Sequence, residues 1–363
     1  MVSRTGFWIV LSVLVLVPCL ALAGNPGSRY SVLPPIQSGN LAIYPVTSTT
    51  THNTSAFLTL DEGVRNGSVV ITEAGQVSGL IRRPGQRPMN TGGEVNRLVL
   101  INKSDRPLLL LAGEIVTGGK QDRVIGADRI VPPNSEPVDL SVFCVEPGRW
   151  VAKSENFSSF HGMAQPSVRI PAMAAKSQAE VWDNVRQSNQ NAAIAVPRAG
   201  AALGGTTSYA GVMGSGEVQQ RIESVVAPID RDYGKLIRQL KAQNAVGVVV
   251  AVNGRLLWAD VFASEELLED YWPKLIRSYA AEAITGGVYK GAAGQMSAQQ
   301  FIESLSGTRE VTETDPGVFR RSEITGEGYK VFTLTSLLPK TDFTVHLAKM
   351  TEERRGRVVP AIE

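Results

Sequence analysis

Cysteine is nearly absent from this 363-residue chain, with one thiol at Cys19 and one at Cys144. Histidine is as scarce, at three residues. The two shortages exclude a zinc finger and a Cys-rich metal scaffold, and no metal or cofactor is expected. Charge of one sign is missing too. Lys and Arg number 36 against 34 Asp and Glu, for a formal net charge of +2. A surface so nearly balanced is not built mainly to hold nucleic acid or an anionic membrane. No internal repeat is visible. No G-x-G-x-x-G follows a strand pattern, and there is no G-x-S-x-G elbow and no H-E-x-x-H. Hydrophobic residues make up 43% and charged residues 19%, which excludes a disordered tail protein, a collagen-like repeat and a coiled-coil rod.

What is present begins with a targeting segment. Arg4 gives a short basic start, an apolar run extends from Phe7 to Leu20, and Ala21-Leu22-Ala23 forms an A-x-A site before Gly24. The pattern is a secretory signal, too short to span a membrane comfortably. It predicts export to the periplasm or medium, with no membrane span after cleavage. Cys19 as a lipid-modified residue fits less well, because Pro18 sits where such sites want a small residue. Cleavage after Ala23 leaves Cys144 as the sole cysteine, so stability must come from a conventional core.

Residues 24–50 are rich in Gly, Ser, Pro and Thr and read as a leader with one extended piece at Leu41 to Val46. Residues 51–170 read as a β-rich, sandwich-like half of short apolar runs separated by turns. Within it, Val138 to Glu146 alternates, and Cys144 extends the apolar face of Val138, Leu140 and Val142. Residues 171–350 read as a helix-rich α/β half packed against the first, which makes the fold α+β. Ser177 to Glu180 is a capping box. Residues 191–216 read as a mobile loop. A helical pattern over 217–242 contains Pro228 as a kink or break. Asn253-Gly254 between two apolar runs predicts a type I′ hairpin. Ser264 predicts the start of a helix with a kink or restart at Pro273, and Ser297 with Gln300 a second capping box. A charged tail follows from residue 351.

The densest polar stretch runs from Gly113-Glu114 through Gly118-Gly119-Lys120-Gln121-Asp122-Arg123 and Asp128-Arg129 to Glu146-Pro147-Gly148-Arg149-Trp150. Two glycines beside Lys120 would let backbone amides approach an anion. Arg123 or Arg149 would grip a phosphate or carboxylate bidentately, and Trp150 would stack on a ring. Gln121 and Glu146 would orient the ligand, and Glu114 or Glu146 would serve as a general base. The competing reading makes Gly118-Gly119 a tight turn, Lys120, Asp122 and Arg123 surface pairs, Glu146 and Arg149 a strand-end cap, and Trp150 a core anchor. A P-loop is excluded, since Gly119 occupies its lysine position and the context is strand-turn-strand. Of the histidines, His52 lies in the leader and His346 on the polar face of a strand. His161, in a loop after the polar stretch, is the one to watch. A Cys144–His161 nucleophilic pair is formally open.

Gly113-Glu114, Gly118 to Arg123 and Cys144 to Trp150, with the helix start from Ser177 to Trp182, resemble the signature of the ARG and Rhodanese-Phosphatase-superfamily-associated Protein domain family. The likeness covers most of the chain after the signal. The family takes its name from association with ADP-ribosylglycohydrolase and rhodanese-phosphatase proteins. The resemblance therefore implies a small anionic ligand related to ADP-ribose or a nucleotide, and it carries over no catalytic residues. The expected function is an exported protein that binds such a ligand, with processing as an extension. The alternative is a noncatalytic interaction module whose motif residues stabilise the fold.

Overall fold

Strand pairing carries this fold, and its ladders follow from alternation and turn chemistry. The computed structural model describes residues 28–74, 97–197, 203, 205–240, 244–286 and 295–352. The segment read as a secretory signal, with Arg4 and Cys19, and the tail beyond residue 352 lie outside the described residues.

In chain order the elements are β1 (Tyr30–Val32), β2 (Ile36–Ser38), β3 (Leu41–Ser48), β4 (Leu58–Thr59), α1 (Leu60–Arg65), β5 (Val69–Glu73) and β6 (Arg97–Asn102). Then come β7 (Leu108–Leu110), β8 (Glu114–Thr117), β9 (Arg123–Ile125), β10 (Arg129–Val131), β11 (Val138–Cys144) and β12 (Ser158–Met163). A helical stretch follows: α2 (Pro166–Ile170), a π-helical turn (Pro171–Ala175), α3 (Gln178–Ala195), α4 (Tyr209–Met213) and α5 (Gly216–Leu240). The chain then adds β13 (Ala245–Val252), β14 (Arg255–Phe262), α6 (Glu265–Thr285), α7 (Gln295–Glu303), β15 (Thr308–Asp315), β16 (Phe319–Gly326), β17 (Tyr329–Ser336) and β18 (Thr344–Thr351). The class is α+β.

The largest sheet has nine strands in the order β1-β3-β13-β14-β18-β17-β16-β15, with β2 also paired to β3. The stretch read as a leader thus supplies three strands rather than one extended piece. Its breakers fall in the connections: Pro34 and Pro35 lie between β1 and β2, and Gly39 turns at φ 60° before β3. Strand β3 pairs with β13 from Thr47 opposite Ala245 to Leu41 opposite Val252. The hairpin at 253–254 forms as its sequence predicts, with Asn253 at φ 53° and Gly254 at φ 75°, the two positive angles of a type I′ turn.

Alternation gives this sheet two apolar faces. On the inner face Val248, Val250, Trp258, Phe262 and Leu334 pack with Tyr271, Leu275, Ile276 and Tyr279 of α6. On the outer face Val249, Val261 and Leu347 pack with Ala298 and Ile302 of α7. Each such buried side chain contributes roughly 1.5–3 kcal/mol relative to exposure. Two smaller sheets, β12-β8-β9-β11-β6-β5 and β10-β7-β4, enclose a second cluster that includes Ile71, Leu100, Leu110 and Val142.

The helices depart from expectation in three places. Ser177 caps α3 by accepting from the Glu180 amide, as read. Helices α5 and α6, however, run without interruption through Pro228 and Pro273. Packing holds them: the Tyr233 and Trp272 rings stack 4.1 Å apart across the pair. Helix α7 begins at Gln295, so Ser297 is not its cap. The supposed mobile loop at 191–216 contains the end of α3 and all of α4, while residues 198–202 and 204 lie outside the described residues. Tyr209 buries there because its hydroxyl accepts from the Gln165 amide at 3.0 Å and its own amide reaches the Val145 carbonyl at 3.0 Å. No helix among the described residues is long and apolar enough to cross a membrane.

Candidate functional site

The polar motif folds onto itself. Strands β8 and β9 are joined by a turn in which Gly118 and Gly119 adopt φ 141° and 46°. A Cβ on Gly118 would stand 2.8 Å from the Asn156 carbonyl oxygen, and one on Gly119 would stand 2.4 Å from the Phe157 ring. The glycines therefore serve close approach to the protein's own 154–157 segment. Arg149 closes the knot. Its Nε donates to Glu146 Oε2 at 2.7 Å, and its Nη1 to the Gly119 and Val151 carbonyls at 2.7 and 2.8 Å. Its Nη2 reaches the Gly118 carbonyl and Asp122 Oδ1, both at 3.2 Å. Asp122 is held further by the Gly118 amide and the Ser208 hydroxyl. Burial and then the neighbouring Glu146 charge push the Asp122 carboxyl up. Burial pushes Glu146 up as well, but hydrogen bonds from Arg149 and the Asp122 amide, together with the Arg149 and Lys153 charges, outweigh it and hold Glu146 below the usual range. The expected ligand donors of Arg149 are thus committed to protein acceptors.

The neighbouring candidates are equally constrained. Arg123 is fully buried in β9, and its Nη1 donates to the Gln121 and Asp122 carbonyls at 2.5 and 3.3 Å. Burial lowers its pKa. It is not the surface pair that the competing reading expected. The Gln121 side chain is buried with neither amide atom hydrogen bonded. The Lys120 amide donates to Glu73 Oε1 at 2.9 Å. Trp150 is 59% exposed, so it is no core anchor. Cys144 is buried in β11, and Gln178 brackets its backbone with bonds of 2.8 and 2.9 Å. Burial pushes the thiol up, which disfavours the thiolate that a nucleophile needs.

Glu114 enters a different cluster. Its Oε1 meets Lys274 Nζ of α6 at 2.5 Å, and its Oε2 accepts from the Leu111 amide at 2.8 Å. Lys274 also lies 3.2 Å from Asp61 Oδ2 of α1. The Ser159 hydroxyl donates to Asp61 Oδ1, and His161 Nδ1 stands 3.5 Å from the same oxygen. Burial raises Glu114, and Lys274 only partly offsets it. Burial acts on Lys274 in the opposite sense, yet Glu114 and Asp61 hold the ammonium charged. The cluster bolts α6 to β8, β12 and α1 and reaches solvent at His161. His161 lies within β12 at φ 55° rather than in a loop, with its ring beside Asp61, whereas Cys144 is buried in β11 with its backbone held by Gln178.

The core holds a second charged network. Arg169 of α2 grips Asp260 of β14 with two bonds of 3.1 Å and lies 4.2 Å from the Trp258 ring centroid. Tyr279 donates to the same carboxylate. His346, read as lying on a polar face, is fully buried between Asp128 at 2.6 Å and Asp260 at 3.2 Å. Burial alone would lower its pKa, but the two carboxylates raise it to about 9. Gly113 at φ 98° is required beside it, since a Cβ there would stand 2.7 Å from Arg169 Nε.

Room for a ligand lies elsewhere. An open groove of about 700 Å³ crosses the outer face of the large sheet beside α7. Arg29, Tyr30, Glu303 and Arg309 stand around it, over a floor that includes Ile302, Leu305, Ile324 and Leu347. Arg309 Nη2 donates to the Ser322 hydroxyl at 3.2 Å, and the Arg29 guanidinium lies 5.3 Å from the Tyr30 ring centroid. Sequence reasoning missed the groove because Arg29 and Arg309 are 280 positions apart in the chain and belong to no local motif. It likewise missed Asp61, Ser159 and Lys274, which share no spacing with Glu114. The one available signal was Lys274 on the apolar side of the α6 pattern.

A family model described as the ARG and Rhodanese-Phosphatase-superfamily-associated Protein domain matches residues 29–350 of this chain. No curated protein and no solved structure matches.

Proposed function

The chain belongs to the ARG and Rhodanese-Phosphatase-superfamily-associated Protein domain family, and from that premise we propose that it is an exported protein binding an anionic, nucleotide-like ligand of the ADP-ribose class. The site is the groove beside α7, not the polar motif. The observation that carries this reading is the pairing of size with unneutralised charge. The groove measures about 700 Å³, and Arg29 and Arg309 on its border meet no carboxylate among the described residues. Ligand pockets commonly run to roughly 300–1,000 Å³. A guanidinium matches a phosphate bidentately. The apolar floor and Tyr30 suit the flat face of a base.

Calorimetric titration with ADP-ribose tests this on the protein from Gly24 onward. The expected result is saturable binding that weakens at least about tenfold in Arg309→Ala, the loss of one hydrogen bond to a charged group. Absence of binding, or affinity unchanged from the parent in both Arg309→Ala and Arg29→Ala, overturns it. Export is tested separately by expressing the full chain and sequencing the exported product, which should begin at Gly24.

The second reading is a noncatalytic module whose motif residues stabilise the fold, and the closed Arg149 knot favours it for the motif itself. If Arg149→Ala destabilises the protein and no nucleotide binds, that reading describes the whole molecule.

A further inference from the structure

A second, smaller cavity of about 140 Å³ lies where the six-stranded sheet meets the nine-stranded one. Asp128 from the β9–β10 loop, Ser141 of β11, Met173 and Lys176 around the π-helical turn, Arg321 of β16 and Phe332 of β17 line it. No local motif joins these residues: Asp128 belongs to the polar stretch, the others do not, and the groove includes none of them.

Lys176 and Arg321 bring two cationic groups to this cavity, and the Asp128 carboxylate in its wall is already engaged. Asp128 Oδ1 accepts from the Ala112 amide at 2.7 Å, and Oδ2 meets His346 at 2.6 Å. Behind it Asp260 is matched by Arg169. Lys176 is different. Its side chain is 58% exposed, and its ammonium comes no closer than 3.8 Å to Glu323, which Lys330 approaches more tightly. Lys176 closes the π-helical turn at φ 50°. A residue with a Cβ adopts that left-handed backbone only at an energetic cost. The strain fixes where the side chain leaves the turn. Arg321 is anchored at the same wall, its Nη1 donating to the Asp128 carbonyl at 3.2 Å. Ser141 adds a hydroxyl, and the buried Met173 and Phe332 add an apolar surface.

A cation-lined hollow with one apolar side fits one chemistry. We infer that this seam cavity binds a short-chain monocarboxylate, with its carboxylate toward Lys176, Arg321 and Ser141 and its alkyl body against Met173 and Phe332. The volume equals that of about five waters in the liquid, enough for a short acid and far too little for a nucleotide. Such a ligand bridges the two sheets, so its binding raises the melting temperature by mass action.

The test uses the full exported chain at constant ionic strength. Melting temperature and calorimetric heat are measured against acetate, propionate and butyrate, with propionamide as the uncharged match. The expected result is one-to-one binding of propionate or butyrate with a rise in melting temperature, and none with propionamide. Lys176→Ala should weaken the acid by about tenfold or more, as expected for loss of a contact to a charged group. Because its side chain is largely exposed, melting without ligand should be unchanged. No response to any of the acids, an equal response to propionamide, or unaltered affinity in Lys176→Ala overturns the inference. ADP-ribose binding in the groove is independent of Lys176, so the two proposals fail separately.

Discussion

Arg149 and Arg309 carry the same guanidinium and meet opposite surroundings. Arg149 lies between two loops of the small sheets, and its donors are taken by two carboxylates and three carbonyls. Arg309 stands on an edge strand, holds one serine hydroxyl and borders open volume. The first arrangement trades solvation for fixed protein partners and so contributes to the fold. The second keeps its charge available to a guest. Residue type alone does not separate the two. What separates them is whether the chain brings acceptors into reach of the same cation.

The sharpest way to break the comparison is to remove one partner from the most buried arginine. Asp260→Ala leaves Arg169 charged and unpaired in the core, and it should cost about 3–5 kcal/mol in urea unfolding. A loss below about 1 kcal/mol would mean that Arg169 is as free as Arg309. Next comes Arg149→Ala. It removes hydrogen bonds from Glu146, Asp122 and three carbonyls, and the expected destabilisation is about 1–3 kcal/mol by the same measurement. An unchanged midpoint would return Arg149 to the ligand-binding candidates.

The pH dependence gives a third test. Asp128 and Asp260 hold the buried His346 up to about 9 against burial, whereas an ordinary histidine titrates near 6.5. The stability from this cation is therefore complete below about pH 6.5 and is lost as pH rises toward 9. Unfolding free energy should fall across that window, and His346→Gln should flatten the slope. A slope that survives the substitution removes His346 as its source. The smallest expected effect belongs to Arg309→Ala, within about 0.5 kcal/mol of the parent as for most surface changes. If it unfolds the protein instead, the groove arginine is structural and the contrast with Arg149 disappears.

Local patterns were legible wherever the determining atoms lie close in the chain. The Asn253-Gly254 hairpin, the Ser177 cap and the buried Cys144 face all follow from spacing of two to four residues. The strand-turn-strand context that excluded a P-loop is of the same kind. Three strands within residues 30–48 were harder to see. β1 and β2 pair with β3, whose other partner β13 begins nearly 200 residues later, and a Pro-rich stretch shows strand character only once that partner is supplied. Proline expectations failed for a similar reason: helix α6 is held by its packing on both sides of Pro273, which outweighs the local penalty. At the motif, the residues that come together were readable, but the direction of their side chains was not. Arg123 could have faced solvent from β9, and Arg149 from the β11–β12 connection, had Glu146, Asp122 and the 118–119 carbonyls been elsewhere.

Composition and periodicity by themselves determined the α+β class, the turn chemistry and the kinds of groups available, because these depend on backbone sterics and on residues a few positions apart. Only the tertiary structure decided which charges are neutralised and which remain available. That outcome rests on Coulombic and hydrogen-bond contacts effective over a few ångströms, between side chains as distant in sequence as Glu114 and Lys274 or Asp128 and His346.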